Sequence, residues 1–155
     1  MRQPLSLQTP HLSDYPELAQ VWEDSVRATH DFLPDAYVRL LREHVLYRYL
    51  DAVMLVCCKD RQRICGFAGV ASSRVDMLFV APAYRCQGVG RRLLRYAINE
   101  LNAETLDVNE QNLQALGFYL HEGFEVVGRS PTDGLGQPYP LLHMRLRGTG
   151  QCSGD

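Results

Sequence analysis

Arg85, Cys86, Gln87, Gly88, Val89, Gly90, Arg91 and Arg92 form the segment of this chain best suited to chemistry. They follow an apolar run that ends near Pro82. After them, Leu93, Leu94, Ala97, Ile98 and Leu101 recur at helical spacing. A strand, a short loop and a helix opening near Gly88 are therefore expected. Backbone N–H groups at a helix N-terminus have no intrahelical acceptor and converge on one spot, where a phosphate can accept them. Gly88 and Gly90 keep Cβ atoms out of the path of an approaching anion. Arg85, Arg91 and Arg92 add positive charge beside it. No lysine followed by serine or threonine closes the loop, which argues against a Walker-type ATP site. The third glycine of a dinucleotide-binding fingerprint is also missing. The loop is read as the seat of a phosphorylated cofactor.

The elements that must position this loop are legible around it. Leu5–Gln8 reads as a short strand. Asp14-Tyr-Pro-Glu17 has the form of a helix start with Glu17 three residues after a capping aspartate. Leu18, Val21, Trp22, Ser25 and Val26 then give one largely apolar helix face. A second helix is expected from Asp35 to about Tyr49. Val53–Cys58 and Ile64–Ala71 read as a hairpin, and Arg74–Val80 as the strand that feeds the loop. Thr105–Val108 is a further strand, Asn112 to about Glu122 a helix ended by Gly123, and Phe124–Arg129 and Leu141–Leu146 two last strands. The order predicts an α/β (α+β) protein with helices flanking a mixed sheet.

Size and charge narrow the function. At 155 residues the chain suits one domain, taken as residues 1–148, with 149–155 as a loose tail. Charged residues make up 22% and the net charge is −2, which offers no global attraction for nucleic acid. No signal-peptide core or membrane-length apolar run is seen, so a cytoplasmic location is expected. The five cysteines have neither disulfide-framework nor metal-ligand spacing, and no metal site is expected.

Val80-Ala-Pro-Ala-Tyr-Arg85-Cys-Gln-Gly88-Val-Gly90 resembles the acetyl-CoA pyrophosphate loop of the GNAT family of acyl-CoA-dependent N-acetyltransferases. Val108 to Phe124, with Asn112, Phe118-Tyr119 and Gly123-Phe124, resembles the family's late strand and helix. Order and separation match too, so the resemblance covers the chain from roughly Leu5 to Leu146. Trp22–Leu33 and Gly128–Leu142 further resemble a bacterial subgroup that includes peptidyl-lysine N-acetyltransferases. The resemblance implies a GNAT-like, centrally splayed β-sheet flanked by helices. It also implies acetyl-CoA as acyl donor, bound by the main chain of Leu78, Phe79 and Val80, by Arg85, Cys86, Gln87, Gly88, Val89, Gly90 and Arg91, and by Asn112 and Tyr119.

Several residues carry two readings. Tyr119 is implied as the acid that protonates the departing thiolate, and its spacing with Leu116 and Leu120 is also that of a core tyrosine. Asn112 can face the cofactor or simply cap its helix. For the base that takes the acceptor's proton, His30 and Asp76 are candidates, and a water chain is the third option. Trp22, Ser25, His30, Phe32, Asp133 and Tyr139 are candidates for the acceptor pocket. Trp22 and Phe32 also suit the core, and Asp133 also suits a turn with Gly134.

The expected activity is acetyl transfer from acetyl-CoA to a primary amine, with a protein or peptide lysine as acceptor. A small-molecule amine is the alternative acceptor, and a non-enzymatic acyl-CoA sensor the alternative function. A homodimer is a further expectation drawn from the family.

Overall fold

A computed structural model describes residues 5–148 of the chain. The expected tail and Cys152 lie outside the described residues. The chain divides into two units, Met1–Ala103 and Glu104–Asp155.

In the first unit, β1 (Ser6–Gln8), β2 (Met54–Asp60), β3 (Arg63–Ala71) and β4 (Arg74–Val80) pair antiparallel in that order. Side chains alternate between the two faces of this sheet. Cys57, Phe67 and Met77 pack with Leu18, Val21, Trp22 and Val26 of α1 (Tyr15–Thr29) and with Val38 of α2 (Asp35–His44). Val56, Cys58, Cys65 and Ala68 pack instead with Val89 and Leu93 of α3 (Val89–Glu100). β3 is therefore covered on both faces, and its residues from Ile64 to Val70 are all buried.

Two local expectations are corrected. The α-helical pattern from Asp35 stops at His44 and continues as a π-turn over Val45–Tyr49, then a 3₁₀ turn over Leu50–Ala52. Leu50 N–H bonds to the Val45 carbonyl, a five-residue step that lets Val45 and Leu50 both enter the core. The capping box at Asp14 and Glu17 does not form, because Asp14 already has helical dihedrals (φ −84°, ψ −13°). Its carboxylate accepts the His11 N–H at 2.9 Å, while Glu17 reaches β3 and accepts the Ile64 N–H at 2.9 Å.

The second unit contains β5 (Thr105–Asn109), α4 (Leu113–His121), β6 (Phe124–Ser130) and β7 (Leu141–Leu146), paired antiparallel in the order β5-β7-β6. α4 packs on β5 and β6, and Leu106, Val108, Tyr119, Phe124 and Met144 are buried. Thr105, Asp107 and Asn109 alternate with Leu106 and Val108 and lie on the opposite sheet face. No described helix is long and apolar enough to cross a membrane.

Candidate functional site

In the first unit the loop after β4 is braced from three directions. Ala81 N–H bonds to the Cys65 carbonyl at 2.9 Å, which fixes where the chain leaves the sheet. A 3₁₀ turn over Pro82–Tyr84 follows, and the Tyr84 hydroxyl donates to Asp60 Oδ2 at 2.7 Å. Gln87 then folds back to give its amide N–H to the Ala83 carbonyl at 3.1 Å.

Cys86 adopts φ +61° and Gly88 φ +84°, so the chain turns through the left-handed region twice before α3 begins. Gly88 suits this because it has no Cβ penalty there. A Cβ built on it would find no atom within 4 Å, so the space beside it is open. The ladder of α3 starts with Arg92 N–H to the Gly88 carbonyl at 3.1 Å, leaving the N–H groups of Val89 and Gly90 ahead of it. Open space beside Gly88 and N–H groups ahead of the helix ladder are the features that an anion such as a pyrophosphate needs at a helix entrance.

Gly66 on β3 lets α3 approach the sheet. A Cβ there would sit 2.9 Å from Val89 Cγ1, 3.0 Å from the Phe79 carbonyl oxygen and 3.1 Å from Leu93 Cδ1. The first turn of α3 is thereby held directly over the end of β4. Arg92 is less available to the loop than its position in the sequence suggests, since it donates to the Leu5 carbonyl at 3.0 Å.

Along β4, Leu78, Phe79 and Val80 are half-buried and pair with Ala68, Phe67 and Gly66. Asp76 is the extra residue of a β-bulge opposite Gly69 and Val70, and it is ion-paired to Arg74 Nε at 2.6 Å. Trp22 is only 5% exposed and meets the Phe79 ring edge-on at 6.4 Å. Ser25 is buried as well. Trp22 belongs to the core that packs on this sheet.

His30 ends α1, buried, with its ring 5.4 Å from that of Phe32. The Thr29 hydroxyl donates to the Ser25 carbonyl at 2.8 Å and lies 2.9 Å from His30 Nδ1. With the hydroxyl proton so committed, Nδ1 carries the imidazole hydrogen. Burial, reinforced by the Arg85 charge and opposed by Asp31, pushes the His30 pKa down to about 4. Such an imidazole is neutral at pH 7 but a weak proton acceptor. The influence of Arg85 on His30 was not legible in the sequence, where 55 positions separate them.

In the second unit Asn112 Oδ1 accepts the Ala115 N–H at 3.2 Å, capping α4. Tyr119 is 8% exposed, its ring 5.3 Å from Phe118 and 6.1 Å from Phe124. Burial pushes its pKa up, so the phenol keeps its proton at neutral pH. Asp133 Oδ1 accepts the N–H groups of Leu135 and Gln137, each at 2.9 Å, and holds the β6–β7 connection. Tyr139, half-buried, lies in the same connection.

The sequence reading missed a second set of polar residues in this unit. His143 Nδ1 lies 2.6 Å from Asp107 Oδ1, and His143 Nε2 lies 2.7 Å from Ser130 Oγ. The three stand on β7, β5 and β6. Asp107 and His143 are register partners, and Gly128 is opposite His143 on the other side. Only the polar–apolar alternation of Thr105–Asn109 and Leu142–Arg145 hinted at them.

Cys57, Cys58 and Cys65 are buried free thiols, and Cys86 is exposed. No group of three or more potential metal ligands occurs among the described residues.

Comparison with known proteins shows the family and the fold. The family model described as "Acetyltransferase (GNAT) domain" matches residues 23–146. The peptidyl-lysine N-acetyltransferase YjaB of Salmonella typhimurium is 43% identical over 128 residues, covering 83% of this chain and 88% of that protein. The solution structure of apo YjaB from Escherichia coli superposes with a TM-score of 0.83 at 39% identity, covering 94% of this chain and 99% of that one. The PaiA N-acetyltransferase of Thermoplasma acidophilum, solved in complex with coenzyme A, shares the fold at TM-score 0.71 and 18% identity, over 93% of this chain and 99% of that one. The fold is accordingly the mixed α/β GNAT type, a central splayed sheet flanked by helices. The chain belongs to the GNAT family of acetyltransferases, enzymes that move an acetyl group from acetyl-CoA to an amine.

Proposed function

We propose that this protein transfers the acetyl group of acetyl-CoA directly to the side-chain amine of a lysine in a protein or peptide. The carrying observation is the braced loop of the first unit, with left-handed Gly88 at the entrance to α3 and open space beside it. In this reading the N–H groups from Gln87 to Arg91 hold the pyrophosphate, and Arg85 and Cys86 shape the loop. The main chain of Leu78, Phe79 and Val80 aligns the pantetheine arm and the thioester carbonyl, whose developing negative charge an N–H group stabilises. Acetyl-CoA supplies an activated acyl carbon, and the protein supplies position and protons.

Tyr119 is assigned the proton for the departing thiolate. Burial raises its pKa, which makes the phenol a weaker acid, so the assignment rests on its place in the Phe118-Tyr119 motif on α4. Asn112 is assigned a helix-capping role beside the pantetheine. Asp133, Tyr139 and Phe32 are assigned to acceptor recognition. The lysine acceptor is favoured by the 43% identity to YjaB, a peptidyl-lysine N-acetyltransferase.

An acceptor screen read by intact mass tests the proposal. Lysine peptides, peptides with only a free N-terminus and small amines are each incubated with acetyl-CoA. A 42 Da gain (one acetyl group) on the lysine peptides is expected. Gain confined to small amines would reassign the acceptor, and binding of acetyl-CoA with no transfer to any amine would favour the sensor.

A further inference from the structure

Within the first unit, α3 and β1 border an open groove of about 470 Å³, lined by Leu7 of β1 and by Arg91, Arg92, Arg95, Tyr96 and Glu100 of α3. Its helical wall has two rows stepping by four residues, Arg91–Arg95 and Arg92–Tyr96–Glu100. The four charged residues are exposed, while Leu7 and Tyr96 are half-buried. Leu7 and Tyr96 pack on the cluster that holds Val56, Cys58 and Cys65, so the apolar part of the groove rests on the core. Arg92 donates to the Leu5 carbonyl at 3.0 Å, which ties its guanidinium to the β1 side. A guanidinium has five N–H donors, so that bond leaves Arg92 others to offer.

Three cations within five positions concentrate positive charge in a chain whose net charge is −2. Guanidinium groups pair with carboxylates through two parallel N–H···O bonds. Arg91 and Arg95 are spaced by about 6 Å along the helix axis. Alternate side chains of an extended peptide are spaced by about 6.6 Å. Acidic residues two apart on such a segment can therefore meet both arginines at once. From Arg91 to Glu100 the helix runs about 14 Å, which about four extended residues span. The wall opposite α3 belongs to an edge strand, since β1 pairs with β2 alone among the described residues. An edge strand offers main-chain groups to an extended segment. The charge changes sign at Glu100, which would repel a uniformly anionic polymer running the length of the groove. A peptide can place an uncharged residue there. Nucleic acid is thereby disfavoured.

We propose that this groove binds an acidic, extended segment of a partner protein. Carboxylates at alternate positions face Arg91 and Arg95, and the side chain between them turns toward Leu7. The proposal goes beyond the acetyltransferase reading and does not depend on it.

The test titrates the full chain into a fluorescein-labelled Glu-Leu-Glu-Leu-Glu peptide, N-acetylated and C-amidated, with anisotropy as the readout. The probe has no amine and so cannot act as an acetyl acceptor. Expected is saturable binding about tenfold tighter than that of the Gln-Leu-Gln-Leu-Gln peptide, fading as salt rises from about 50 to about 500 mM. Arg95→Glu should weaken binding about fivefold, and Glu100→Gln should tighten it about twofold. Opposite signs from two exposed positions on one helix are not the mark of damaged structure. If Arg95→Glu does not fold, Arg95→Gln carries the test with a smaller loss. Peptide binding should persist with saturating CoA present. Displacement by CoA would give these arginines to the cofactor and overturn the proposal. Equal affinity for both peptides, indifference to both substitutions, or tighter binding of a single-stranded DNA oligonucleotide would overturn it too. None of these results bears on acetyl transfer, which the acceptor screen decides separately.

Discussion

His30 should make this protein acid-sensitive by an amount the structure allows one to work out. In the folded chain its pKa is about 4, lowered by burial and then by the Arg85 charge. Unfolded, it returns to about 6.5. Above pH 6.5 both states hold it neutral and it contributes nothing to the pH dependence. Between 6.5 and 4 the unfolded chain binds a proton that the folded chain refuses, so stability falls as pH falls. At about 1.4 kcal/mol per pKa unit, the loss reaches about 3 kcal/mol near pH 4 and then levels off. The variant His30→Gln has no proton to take. Urea unfolding at pH 7, 6, 5 and 4 should show wild type losing about 3 kcal/mol more than the variant across the series, whatever their difference at pH 7. Comparing the two slopes cancels the carboxylates common to both. Parallel stability curves would show that the imidazole titrates alike folded and unfolded, and the burial argument would fail. The same physics bears on catalysis: a rate limb between pH 6 and 7 should survive His30→Gln unchanged.

Three further outcomes follow from the packing. Gly66→Ala forces a Cβ against Val89, Leu93 and the Phe79 carbonyl. It should cost about 1–3 kcal/mol, seen as a drop of roughly 2–10 °C in Tm, and should weaken acetyl-CoA binding because Val89 opens α3; an unaltered melt would refute the close approach. Gly88→Ala meets no neighbour, so its cost of about 1–2 kcal/mol comes from φ alone; calorimetry should register roughly tenfold weaker acetyl-CoA binding. Tyr119→Phe should lower kcat about 100-fold with acetyl-CoA affinity unchanged, and unaltered turnover with every acceptor would remove Tyr119 from the chemistry.

Local rules carried much of this fold. β4 and β7 have the bounds that their apolar runs suggest, and Asn112 and Gly123 bracket α4 as their chemistry dictates. The glycine loop ahead of α3 was legible from its composition, whereas the left-handed turn that Gly88 makes there was seen only in the structure. Where local rules competed with packing, packing prevailed. A helix-compatible run past His44 became a π-turn because Val45 and Leu50 both had to be buried. Glu17 left its expected cap to satisfy the Ile64 N–H across the unit.

The sequence alone determined the family, the glycine loop before α3 and the order of elements, because those depend on neighbours a few residues apart. Tertiary structure decided which titratable groups meet. His30 became a weak base only through burial and the reach of Arg85. Asp107, Ser130 and His143 joined into a chain only because antiparallel register set them side by side on β5, β6 and β7. Proton chemistry depends on distances of about 3 Å and on the local dielectric, and no spacing along a chain specifies either until the strands have paired.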